Sequence, residues 1–183
     1  MLIDEYLPDS QVSLKAYTIE IDAPIEPVYQ VVRKLDLRNA YLLRVLFWLR
    51  SLPGRLTGRN PLGPTLADLE LAGLTLVEEA PPHELLLGLV GKIWTPGGGL
   101  LKVSSADFRN YSNPDVAKVV VSFSLESLPG GRTRLTTKTR AFCPGAEGRE
   151  KLLRYARFIS VISGMTRKSA LRGIRRQAHQ IRH

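Results

Sequence analysis

The chain has 183 residues, 44% of them hydrophobic and spread along its length, a balance that suits one domain with a real core and argues against disorder. Its net charge of +9 is lopsided: residues 1–148 carry 16 Lys and Arg against 16 Asp and Glu, whereas residues 149–183 carry 10 against Glu150 alone. A single cysteine, Cys143, leaves no internal disulfide, residues 1–10 hold three acids and no base where a signal peptide needs the reverse, and the apolar stretch 40–52 is interrupted by Arg44 and Arg50, so the expectation is a soluble cytoplasmic protein.

The first expected element is a strand over residues 14–22, with Leu14, Ala16, Ile19 and Ile21 as its apolar members and a slip of register near Tyr17. It runs into a helix opened by Pro24 and Pro27, where a missing N–H costs little, with Val28, Val31, Val32 and Leu35 at helical spacing. Asn39 can cap a second helix over 41–50, which Pro53 and Gly54 end. A Gly- and Pro-rich loop follows over 55–64, then short strands over 65–71, 73–80, 83–94 and 101–108.

The clearest hairpin joins 116–128 to 132–142 through Pro129, Gly130 and Gly131. Alternation puts Val119, Val121, Phe123 and Leu125 on one face of its first arm, and Leu135, Thr137, Thr139 and Ala141 on the same face of the second. The other face, with Lys118, Ser122, Ser124, Glu126, Arg134, Thr136, Lys138 and Arg140, is expected to meet water. A long helix over 146–181 closes the chain. Its apolar stripe, Leu152, Ala156, Ile159, Ser163, Ala170 and Ile174, has Tyr155 and Thr166 at its edge and is rich in small residues. Those either let a sheet come close or leave room for a ligand. Arg154, Arg157, Lys168, Arg172, Arg175 and Arg176 gather on the opposite side. The order strand, helices, strands, long last helix is what a curved antiparallel sheet wrapped around a helix requires, an α+β architecture that encloses a cavity.

The run Ile21-Asp22-Ala23-Pro24-Ile25-Glu26-Pro27-Val28-Tyr29, the hairpin closing in Gly130-Gly131-Arg132-Thr133-Arg134-Leu135-Thr136 and the long final helix resemble the START-like, or Bet v1-like, helix-grip superfamily, which includes polyketide cyclases and lipid-transfer domains. Leu89-Val90-Gly91-Lys92-Ile93-Trp94, Thr137-Lys138-Thr139-Arg140 and the tail from Tyr155 through Ser163 and Gly164 to Arg176 resemble an uncharacterised bacterial branch of it. The resemblance covers nearly the whole chain. It implies one domain, residues 1–183, with a seven-stranded sheet gripping the last helix over an apolar pocket. It implies no single chemistry, because such a fold hosts transport, sensing and catalysis.

Catalytic and cofactor signatures are sparse. His83, His179 and His183 show no paired metal spacing and Cys143 has no CxxC partner, so neither a metal nor a cofactor is expected. Gly97 to Gly99 before Lys102, and Gly88 and Gly91 before Lys92, lack the spacing and the following helix of a phosphate loop. The leading expectation is therefore a binding or carrier domain for a hydrophobic small molecule or lipid, with pocket walls from Trp94, Val121, Phe123, Thr137, Thr139, Tyr155, Ala156, Ile159 and Ser163. The alternative is an enzyme of the cyclase, dehydratase or hydrolase kind, which would gain from a buried, perturbed Glu79, Arg140 or Tyr155. The basic helix suits an anionic membrane or an acidic partner. Nucleic acid is disfavoured, for the strands offer no platform of exposed aromatic rings.

Overall fold

The structure, a computed structural model, describes residues 2–34, 74–95 and 99–180, and within the last helix only the backbone of residues 158, 159, 161–163, 166, 179 and 180. The expected helix over 41–50, the loop over 55–64 and the strand over 65–71 lie outside the described residues. The elements are α1 (Leu2–Tyr6), β1 (Val12–Ile21), α2 (Ile25–Lys34), β2 (Leu74–Ala80), β3 (Glu84–Gly91), β4 (Leu100–Leu101), α3 (Ser105–Phe108), β5 (Ala117–Leu128), β6 (Arg132–Phe142) and α4 (Ala146–Gln180). Among the described residues no helix is long and apolar enough to cross a membrane.

The protein is α+β: six described strands form one antiparallel sheet in the order β1-β6-β5-β3-β2, with β4 beside the end of β3, and the sheet bends round α4. The hairpin is the backbone of that sheet, paired without interruption from Lys118↔Phe142 to Leu128↔Arg132. Gly130 and Gly131 turn it at φ of 78° and 68°, left-handed values that a side chain resists. The slip read near Tyr17 is a bulge in β1, between Leu14↔Thr139 and Tyr17↔Thr137. It returns Tyr17, Ile19 and Ile21 to the face that Val12 and Leu14 began.

Helix α2 buries Val28, Tyr29, Val31 and Val32 and turns Gln30, Arg33 and Lys34 outward, as its sequence spacing requires. It packs on Leu171, Ile174 and Ala178 of α4 and on the tip of the sheet. Thr133, wholly buried, donates its hydroxyl to the Ala23 carbonyl at 2.7 Å and so ties the β1–α2 corner to β6.

Three expectations are corrected. The strand over 101–108 shrinks to Leu100–Leu101 in β4, because Ser104 accepts from the Asp107 amide and caps α3. The strand expected over 83–94 likewise stops at Gly91, where Lys92 and Thr95 enter a turn. The outer hairpin face is also only half wet. Val120 and Ser122 on that face are fully buried, covered by α1 and residues 102–116, in a cluster of Ile3, Leu7, Leu86, Val90, Phe108 and Val116. Arg140 lies on this face, as parity predicts, bound to Asp4 and to the Leu7 carbonyl. Nearer the turn the face is open, and Glu20, Arg132, Arg134 and Glu126 form a ladder of exposed ion pairs, each worth little.

Candidate ligand site

The concave face of the sheet carries two separate apolar clusters. One lies toward α2, with Ile21, Leu85, Phe123, Leu125 and Leu135 meeting Leu171 and Ile174 of α4. The other lies at the start of α4, where Val119, Ala141 and Cys143 meet Leu152, with Trp94 and Ala156 against it. Between them the registered pair Val121↔Thr139 is only half-buried, with Leu87 and Leu14 as its cross-strand neighbours. Ala156 of α4 packs on the second cluster and Ala170 on the first, so the backbone of the turns between them crosses this interval.

Thr137 sits one step further along β6, opposite Phe123 on one side and Tyr17 on the other. It is 1% exposed, and its Oγ1 has no hydrogen-bond partner among the described residues. A buried hydroxyl without a partner costs free energy, roughly 1–3 kcal/mol, that an incoming acceptor or donor would recover. Ser122 Oγ is similarly unpartnered, but it lies on the opposite face under α1.

Helix α4 is seated on β1 by Tyr17. Arg167 stacks its guanidinium 4.8 Å from the Tyr17 ring centre, Lys168 lies 5.2 Å from it, and Arg167 Nη1 donates to the Lys15 carbonyl at 2.8 Å. Burial lowers the Arg167 pKa from its ordinary value. Gly164 is where the Tyr17 hydroxyl comes against the helix, and a Cβ there would overlap it.

A polar set stands at the β2 side of the α2 cluster. The Tyr29 hydroxyl donates to Glu79 Oε2 at 2.9 Å, while Arg33 grips both oxygens through Nε at 2.9 Å and Nη2 at 3.1 Å. Burial, and then the Glu79 carboxylate beside it, push the Tyr29 pKa up to about 12. Arg33 and then Tyr29 hold Glu79 below the usual carboxylate range. The fold keeps the Tyr29 phenol protonated, so its contribution to stability is whole below pH 10 and is lost as the pH climbs from 10 towards 12. Urea unfolding at a series of alkaline pH values should therefore show a steeper loss in the natural chain than in Tyr29→Phe. Parallel curves would overturn the assignment. Glu79 has the opposite sense: its share is present above the unfolded carboxylate pKa and fades as acid titrates it.

The structure separates the residues singled out in sequence. Phe123, Thr137, Val121 and Thr139 follow one another across the concave face, whereas Trp94 and Ala156 stand at its far end beside Gly148. Tyr155 is half-buried on α4; for Ile159 and Ser163 only the backbone is described, in the turns above the interval. Sequence reasoning named Glu79 as a candidate but not its partners Tyr29 and Arg33, and it placed Tyr17 and Leu14 in the first strand without assigning them to the site. The register slip in β1 was the available signal for Tyr17.

Outside this face, a hollow of about 230 Å³ is lined by Arg109, Tyr111, Asn113, Val116, Lys118 and Phe142, among others. Lys118 Nζ donates to the Arg109 carbonyl there, and burial lowers its pKa.

Fold and site together define a class, an α+β protein whose open antiparallel sheet closes on its own last helix. No protein-family model matches the sequence, and no curated protein matches it. Among solved structures the chain is similar to a conserved protein from Geobacillus kaustophilus, at 12% identity and TM-score 0.46 over 92% of this chain and 96% of that one. It is also similar to the ZhuI aromatase/cyclase from Streptomyces sp. R1128, at 15% identity and TM-score 0.40 over 94% and 96%, respectively. A hypothetical protein from Helicobacter pylori aligns at 11% identity and TM-score 0.42 over 93% and 90%. Likeness at this level says nothing of ligand or reaction.

Proposed function

We propose that this chain is a single cytoplasmic domain of the START-like helix-grip kind that binds or carries a hydrophobic small molecule or lipid between the sheet and α4. The observation that carries this reading is the buried Thr137 hydroxyl, without a partner among the described residues, next to the half-buried Val121↔Thr139 pair where the first apolar cluster gives way to the second. Apolar walls with one orienting polar group are what a lipid-like ligand needs. Val121→Trp would fill the interval and is expected to abolish uptake of Nile red with the circular dichroism unchanged. Thr137→Val keeps the shape and is expected to weaken a polar-headed ligand about 5–10-fold without loss of stability. Uptake unaffected by either substitution would sink the proposal. Native mass spectrometry of the purified chain, with organic extraction of what co-purifies, would then name the ligand.

A second reading, an enzyme of the cyclase, dehydratase or hydrolase kind, draws on the Tyr29–Glu79–Arg33 set. Arg140 no longer supports it, since that side chain lies on the other face of the sheet. If Glu79 is chemical, Glu79→Gln should stop turnover of the extracted ligand while leaving its binding intact; retained turnover would remove this reading.

A further inference from the structure

Helix α4 has a second face, turned to solvent, from which Lys168 also reaches the ring of Tyr17. Arg154, Arg157, Lys168, Arg172, Arg175 and Arg176 are all exposed on it. Glu150 is the one acid after residue 148, and it is taken by Arg154 at 3.1 Å. Among the described residues no carboxylate pairs with Arg157, Lys168, Arg172, Arg175 or Arg176. Leu153 and Met165, 40% and 52% exposed, are two of the three large apolar side chains that the described residues leave in water. At 100° per residue Leu153, the six cations and Met165 share an arc of about 140°, running roughly 35 Å along the helix from Leu153 to Arg176.

We infer that this face rests on an anionic lipid surface. A nearly straight cationic row supplies long-range attraction to lipid phosphates and carboxylates, and Leu153 and Met165, interleaved with it, gain by entering the boundary between headgroups and acyl chains. A nucleic-acid backbone would use the cations and leave both apolar side chains in water. The inference does not depend on the concave site holding a ligand.

The test is co-sedimentation of the full chain with vesicles of phosphatidylcholine alone or of equimolar phosphatidylcholine and phosphatidylserine. Binding is expected only to the anionic vesicles and is expected to fall as salt is raised. The triple variant Arg172→Gln, Arg175→Gln, Arg176→Gln should lose about 100-fold in partitioning, since each basic residue near such a surface contributes about fivefold. Met165→Glu should weaken binding with the cations in place, and Lys102→Glu, an exposed charge elsewhere, should leave it unchanged. Circular dichroism checks that each variant is folded. Equal binding to neutral vesicles, indifference to the triple substitution, or binding to duplex DNA with none to vesicles would each overturn the inference.

Discussion

Phe108→Ala is expected to lower the unfolding free energy by about 3–5 kcal/mol, among the largest losses available to a single side chain here. The ring is 1% exposed and lies on the outer face of the sheet, held there by the Ser104-capped turn of α3. Its seat is Gly88 of β3, where an added Cβ would fall 2.5 Å from Phe108 Cε2 and Cζ and from Val77 Cγ2. Gly88→Val should therefore destabilise as well, by overpacking. The double variant should cost less than the sum, because the valine occupies part of what the ring vacates. Urea midpoints of the four chains measure this. Strict additivity would mean that the ring does not rest on Gly88.

At the other face, Gly148→Val should cost about 3 kcal/mol and loosen the start of α4. A Cβ on Gly148 runs into Cys143 Sγ and the Pro114 carbonyl, and Gly145 is tighter still against the Pro114 backbone. These two glycines let α4 begin in contact with the end of β6, so Trp94, Leu152 and Ala156 can close that end of the concave face. Gly130→Ala makes a useful comparison, since nothing lies within reach of its Cβ and only its left-handed φ resists, at about 1 kcal/mol. The ranking Gly148→Val well above Gly130→Ala, read by thermal or urea unfolding, is the expected result; the reverse order would show that the helix start has slack. If α4 also retains ligand, Gly148→Val should release it faster.

What was legible in the sequence is what repeats. The alternation of Val119, Val121, Phe123 and Leu125 against Leu135, Thr137, Thr139 and Ala141 specified the hairpin face by face. The slip at Tyr17 was a bulge written in the order of side chains. The outer cover was not legible, because α1 spans five residues and contributes Ile3, with Leu7 just beyond its end, too few to show a period. At 101–108 a strand-like alternation concealed a capping pair, Ser104 and Asp107, that was there to be read. The site divided in the same way. Thr137 was placeable on the concave face by parity, but strand propensity explains a threonine equally well, and an unpaired hydroxyl is visible only in three dimensions. Tyr29 and Glu79 meet across 50 residues of chain, a pairing that no local spacing foretells.

The bulge in β1 has one more effect, on what the protein does to its own kind. Among the described residues β1 is an outer strand, and such a strand would ordinarily offer its free backbone groups to another molecule's strand. Here the irregularity between Leu14 and Tyr17 breaks the straight run, and Arg167 occupies the Lys15 carbonyl at the same place. Arg167, which holds the last helix against Tyr17, thus also blunts the sheet against edge-to-edge growth, so that holding the grip closed and staying out of aggregates are served by a single guanidinium.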